Sequence, residues 1–265
     1  MIPKVIPPLT GLSVLVTRPA AQAASLTTAI EQKGGVAMPL PAISIEPIAA
    51  ADSAEHDLVI FISANAAAHG VGCIQRSPAT RIAAIGKATA DALAAANMPV
   101  DIVPEGGFNS EALLAHPALS LAPGTRVLIV RGAGGRELLQ ESFSARGCTV
   151  ATLEVYRRAL PKIEPSRIAE LVGQWSAGDI DIVTATSVQT LQNLIALLGA
   201  AGREFLARTP LLVASERIAV AATELGLHGE CVTATGADDA ALIGTLSSWH
   251  ARGRSLGVRS HEVTE

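Results

Sequence analysis

The sequence predicts an α/β protein of two similar lobes, each built on a parallel sheet. Three observations predict this. Short apolar runs rich in β-branched residues alternate with alanine-rich runs of helical spacing along the chain. Most of the short runs lack period-two alternation, as strands covered on both faces do. Three patterns recur in the same order in the two halves: VLVTRP at 14–19 with VLIVRG at 127–132, DLVIFISANAAAHGV at 57–71 with DIDIVTATSVQTLQNL at 179–194, and AAIGKATADALAAANM at 83–98 with LVASERIAVAATELGL at 212–227. The expected architecture is a duplicated pair of lobes.

The expected strands are 12–17, 36–40, 57–62, 82–85, 100–103, 126–130, 149–153, 180–184, 210–214 and 231–234. Between them, runs such as AAQAASLTTAIEQKGG carry helical apolar spacing and a glycine near the end. Pro39, Pro41 and Pro47 bracket one extended segment, and Pro161 and Pro165 follow another. These two segments are expected to pair as a two-stranded bridge, with the chain crossing between lobes twice. Residues 1–41 and 162–248 then form lobe 1, residues 42–48 and 153–161 the β-ladder, and residues 49–152 lobe 2. The polar, glycine-bearing stretch 249–265 is expected to be a flexible tail.

Composition narrows the function. Of 265 residues, 49% are apolar and 17% charged, which excludes a disordered chain and allows two cores. The longest apolar runs are interrupted by Lys87 and Asp91 or by Glu216 and Arg217, so no membrane span is expected. The N-terminus carries Pro3, Pro7 and Pro8 and no continuous apolar stretch, so no signal peptide is expected and the cytoplasm is the default location. Cys73, Cys148 and Cys231 are far apart, and the six histidines show no ligand spacing, which argues against a metal site. A net charge of −4 without a basic, aromatic-bearing stretch argues against nucleic acid.

Parallel sheets bind ligands beyond the C-terminal ends of their strands, where helix N-termini aim N–H groups outward. Those loops present Arg18, then Ser63, Ala64 and Asn65, then Lys87, Ala88 and Thr89. They also present Arg131, Gly132 and Arg136, then Thr186 and Ser187, and finally Ser215 and Arg217. Hydroxyls, arginines and main-chain amides together suit carboxylate or phosphate groups. Each Ser or Thr taken alone is more often a helix cap or a turn residue. The turn RGAGGRE is neither GxGxxG nor GxxxxGK[ST], which argues against a nucleotide. GxSxG is absent too.

Tyr156, in EVYRR, is the sole tyrosine. Two roles fit it. It packs at a domain junction, or its phenol O–H donates a hydrogen bond to a departing hydroxyl.

The succession VLVTRP, DLVIFISANA, IGKATADAL, NSEALL, VLIVRGAGGRELL, EVYRR, TATSVQTLQNL and SERIAVAA resembles the uroporphyrinogen-III synthase family over about residues 12–246. The resemblance implies two flavodoxin-like lobes joined by a two-stranded ladder. It implies a cofactor-independent, cyclising lyase that converts hydroxymethylbilane, a polycarboxylate linear tetrapyrrole, to uroporphyrinogen III, with loss of water and inversion of the last pyrrole. The upstream bilane-forming enzyme becomes a candidate partner, and a monomer is expected. The family's tyrosine falls on Tyr156, placed on the bridge and facing the cleft, and its loop hydroxyls on Ser63, Thr89, Ser187 and Ser215. Ile62 stands where members often carry Thr, and Arg217 and Ile218 where some carry two threonines. A two-lobed, non-catalytic binding or sensor protein for a polycarboxylate is the alternative class.

Overall fold

A computed structural model describes residues 6–107, 109–135 and 137–255. In chain order the elements are β1 (Ser13–Val16), α1 (Ala20–Gln32), β2 (Val36–Pro39), β3 (Ser44–Pro47), β4 (Leu58–Phe61), α2 (Ala64–Gly70), β5 (Arg81–Ala84), α3 (Lys87–Ala95), α4 (Ser110–Leu114), β6 (Arg126–Gly132), α5 (Leu138–Ala145) and β7 (Thr149–Ala159). Then come α6 (Pro165–Ser176), β8 (Ile182–Ala185), α7 (Val188–Leu206), β9 (Leu211–Val213), α8 (Glu216–Glu224), β10 (Cys231–Thr233) and α9 (Asp239–Ser255). The chain divides into two compact units, residues 1–44 with 160–265 and residues 45–159.

The sheet of the first unit has the order β10-β9-β8-β1-β2. Its neighbours run parallel, with Val14 opposite Ala37 on one side and Ile182 on the other. The strands are apolar throughout because both faces are covered. Val14, Val16, Ile182 and Leu212 pack on Leu26 and Ile30 of α1 and Leu242 and Leu246 of α9. Leu15, Val183, Leu211 and Val213 point the other way, onto Leu171 and Trp175 of α6, Leu194 of α7 and Ile218 of α8. Buried aliphatic side chains of this kind each stabilise the fold by about 1.5–3 kcal/mol relative to exposure.

The second sheet has the order β3-β7-β6-β4-β5 and the same two-sided burial. Val59, Phe61, Leu128 and Val130 pack with Ala66 and Ala67 of α2 and Leu93 of α3. Leu58, Ile60, Val127 and Ile129 pack with Leu113 of α4 and Leu139 and Phe143 of α5. Strands β5, β4, β6 and β7 run parallel.

Two expectations need correction. The run 100–103 is no strand: it makes a single bridge, Ile102 to Ala83, at the sheet edge. Strands β3 and β7, from the two segments expected to pair, are neighbours in the five-stranded sheet. Ile48 N–H donates to Val155 O at 3.0 Å, and Arg157 pairs with Glu46 at 2.8 Å. The expected tail is helical as far as Ser255, because α9 is anchored there. Trp249 Nε1–H donates to Glu230 at 2.9 Å, and the His250 ring bonds Thr10 O at 3.1 Å. Residues 256–265 lie outside the described part.

Candidate functional site

The end of β7 carries the feature that places Tyr156. Strand β7 follows β6 in register from Arg126 opposite Thr149 to Arg131 opposite Glu154. The next pair is Gly132 with Tyr156, so Val155 is an extra residue, a bulge. A one-residue insertion reverses which face the following residues present. Val155 and Tyr156 are consequently both buried, with Tyr156 4% exposed. The Tyr156 main chain is fixed by Ala133 N–H donating to its carbonyl at 2.7 Å.

The ring lies flat on the backbone of Gly132: a Cβ there would stand 2.5 Å from Tyr156 Cζ. His69 of α2 flanks it, ring centroids 6.1 Å apart at 36°. The phenol oxygen is 3.2 Å from Ser63 Oγ. Ser63 is the N-cap of α2, and its Oγ accepts from Ala66 N–H at 2.9 Å. Strand β4 ends at Phe61, two residues before Ser63, so the loop that sequence reasoning singled out and the sole tyrosine meet at one point.

Beyond the ends of β4, β5 and β6, on the side of Ile129 and Leu139, lies a cavity of about 310 Å³ that neither Ser63 nor Tyr156 lines. Ile62, Ile85, Ile129 and Leu139 wall it, and Arg131 and Ser110 bring polar groups. Arg131 is 6% exposed. Its guanidinium donates to Gly132 O at 3.3 Å and to Gly134 O. Among the described residues it has no acidic partner, so its charge is not neutralised by an ion pair. The glycine-rich turn serves this arginine: Gly134 and Gly135, at φ +70° and +110°, fold the loop back over it. Arg136 lies outside the described residues.

The remaining predicted positions divide by what holds them. Ser187 caps α7, its Oγ accepting from Thr190 N–H at 3.1 Å and meeting Thr190 Oγ1 at 2.8 Å. Ser215 is the N-cap of α8 in the same extended conformation but makes no side-chain cap bond. Gly86 heads α3 with no side chain to cap it, and Thr89, one turn on, is 3% exposed. Arg18 is 7% exposed and paired with Asp239 in the first turn of α9, which neutralises it as an anion clamp. Its Nε is buried without a partner. Lys87 is exposed and bonded to Asp91 one turn along at 3.0 Å. Ala64, Asn65, Ala88, Thr186 and Arg217 sit on the first turns or entry loops of α2, α3, α7 and α8. The larger hollow of the first unit, about 600 Å³ between β10 and α9, contains none of these residues. Burial raises the Cys231 thiol that borders it, keeping it protonated and a poor nucleophile at neutral pH.

Sequence reasoning missed the contact between Ser63 and Tyr156, the seat provided by Gly132, and Asp239. The S-x-x-A start of α2 signals the cap but not its second partner.

The description "Uroporphyrinogen-III synthase HemD" matches residues 24–243. The chain belongs to the uroporphyrinogen-III synthase family. Its members are cyclising lyases of tetrapyrrole biosynthesis that act on a bilane. The chain is 36% identical to "Uroporphyrinogen-III synthase" of Salmonella typhimurium, over 89% of this chain and all of the relative. It is 34% identical to that of Escherichia coli K12, with the same coverage. Among solved structures, uroporphyrinogen-III synthetase from Helicobacter pylori is similar at a TM-score of 0.55 and 15% identity, over 94% of this chain and all of that one. A mutant of the Thermus thermophilus enzyme is similar at 0.51 and 19%, with the same coverage, and both likenesses concern the fold. No helix of the described residues is long and apolar enough to cross a membrane, and no group of three or more His, Cys, Asp and Glu among them suits a metal ion.

Proposed function

We propose that this chain closes hydroxymethylbilane to uroporphyrinogen III and that Tyr156 donates the hydrogen bond that helps the substrate hydroxyl leave. One observation carries this reading within the family assignment. The sole tyrosine lies on β7 opposite Gly132, the last residue of β6, with its oxygen on the N-cap serine of a predicted binding loop. The hydroxyl leaves as water and its carbon becomes a cationic azafulvene. The last pyrrole then attacks through its already substituted carbon, giving a spiro intermediate; the original bond from that carbon to its methylene breaks, and the methylene rejoins the ring at the free carbon, whose proton is released. Direct attack through the free carbon gives isomer I without an enzyme. Holding the two reacting carbons in the required orientation is therefore the larger task, and the hydrogen bond is the smaller one.

The substrate's carboxylates meet the loops in this reading. The starts of α8 and α3, where Ser215 and Gly86 leave main-chain N–H groups without a side-chain cap, offer bare donors. The cavity beside Arg131 offers apolar walls and a cation that has no acidic partner. Thr89, Thr186, Ser187 and Arg217 complete the proposed set, and Ser63 stands behind Tyr156. We read the two units as duplicated halves: β8, β1 and β2 adjoin in one sheet as β4, β6 and β7 do in the other, and the three recurring sequence patterns fall on matching strands. A cytoplasmic monomer that receives the reactive bilane from the enzyme that forms it is consistent with this reading.

The test generates hydroxymethylbilane in situ, adds the protein, oxidises the products and separates the isomers. Predominant isomer III is expected. Isomer I alone, at the rate without protein, overturns the reading in favour of a binding protein.

A further inference from the structure

The bond between Ser63 and Tyr156 has a direction, and the direction decides whether the phenol proton is free. A serine hydroxyl has one proton and two lone pairs. Ser63 Oγ uses one lone pair to accept from Ala66 N–H at 2.9 Å. That leaves one proton and one lone pair for Tyr156 OH at 3.2 Å. If the phenol donates, its proton is committed to Ser63. If Ser63 donates, the phenol proton is available to a third group, and the chain runs one way: Ala66 N–H to Ser63 Oγ, Ser63 O–H to Tyr156 Oη, Tyr156 O–H outward. Bonds aligned head to tail polarise one another, so each strengthens the next donor.

The surroundings favour a fixed rather than a roaming oxygen. Tyr156 is 4% exposed, its ring is seated on Gly132 and flanked by His69, and its carbonyl is held by Ala133. Ser63 is held by the helix it caps. We infer that Ser63 is a positioning residue: it donates to Tyr156 and so turns the phenol proton toward the substrate hydroxyl. This rests on the reading of Tyr156 as the donor.

Three substitutions separate this from a purely structural cap. Ser63→Thr keeps both the cap and the donor. Ser63→Asp keeps the cap, since aspartate is a good N-cap, but an ionised carboxylate can only accept, so it captures the phenol proton. Ser63→Ala loses both. A structural cap ranks Asp with Thr and Ser, above Ala. The relay places Thr with Ser and lowers kcat in Asp and Ala by ~10- to 100-fold, within the span of one positioned donor, with KM little changed. Because Tyr156 is the sole tyrosine, a ¹³Cζ-labelled tyrosine gives one resonance that reports its hydrogen bonding without substrate. That resonance is expected to move in Ser63→Asp and to stay in Ser63→Thr.

A double-mutant cycle with Tyr156→Phe completes the test, with melting temperature recorded for every variant. The relay requires Ser63→Asp/Tyr156→Phe to be no slower than Tyr156→Phe alone. If Ser63→Asp does not fold, Ser63→Ala carries the same cycle. Full kcat in Ser63→Asp while Tyr156→Phe is slow overturns the relay alone. Full kcat in Tyr156→Phe overturns the reading beneath it.

Discussion

Tyr156 and Gly132 face each other across the β6–β7 pair so closely that the phenol ring occupies the space a Cβ would take. Gly132 is therefore a steric requirement, not one of backbone conformation. Gly132→Ala is expected to displace the ring and destabilise the protein by about 1–3 kcal/mol, the usual range for overpacking. Turnover should fall with it. Denaturant unfolding and the isomer III rate check this pair of effects; an unchanged rate and midpoint would show that the ring has room to move.

Tyr156→Phe keeps the ring and removes the oxygen. Turnover is expected to fall ~10- to 1000-fold, about the weight of one positioned donor. The loss of the bond to Ser63 should lower stability by about 1 kcal/mol, because a single hydrogen bond contributes about that much net. Steady-state kinetics beside chemical denaturation separate the two. Wild-type turnover would leave the phenol with a packing role only.

Ser187 and Ser215 occupy the same backbone conformation but differ in what their hydroxyls do. Ser187→Ala should lower stability by about 1 kcal/mol through loss of the cap on α7. Ser215→Ala should leave the melting temperature nearly unchanged and raise KM, since its hydroxyl makes no cap bond. Equal thermal shifts in the two variants would contradict the distinction.

Asp57 is the acid-sensitive group of the second unit. Hydrogen bonds from the Arg126 side chain, then from its backbone, hold the Asp57 carboxyl below the ordinary carboxylate range. A group with a lowered folded pKa adds stability above its unfolded value of about 3.9 and loses it as pH falls through the folded one. Both partners are about half exposed, so the effect is small and salt-sensitive. Wild type and Asp57→Asn should differ in stability near neutral pH and converge as pH falls through the folded pKa of Asp57. A constant difference across that range would exclude this carboxylate as the source.

The strands that were legible in sequence are those covered on both faces, such as Val14–Val16 and Leu58–Phe61, where burial forces an apolar run. Ile102 sits in a similar run but at a sheet edge, and one bridge is all it makes. Strand β7 divides in sequence into a strand at 149–153 and a ladder segment at 153–161, because its outer half, EVYRRA, carries charges and a bulge, which break both periodicity and composition. The helical end of α9 was missed because its stretch ARGRS looks like a tail, while its anchors, Glu230 and Thr10, lie elsewhere. The site was legible as loops but not as contacts. Ser63 and Tyr156 are 93 residues apart, Arg18 and Asp239 are 221, and no local pattern encodes either meeting.

The interrupted first unit sets an order of assembly on the ribosome. Residues 45–159 are contiguous and can close their sheet as soon as they emerge. Strands β1 and β2 emerge earlier, yet β1 cannot acquire its second neighbour until β8 is made: Ser13 N–H waits for the Asp181 carboxylate, 168 residues downstream. Through that interval the nascent chain carries an apolar βαβ fragment with an unpaired edge, a template for pairing with other chains. Synthesis of residues 45–180 is therefore the interval in which the fragment 6–44 is open to pairing with other chains.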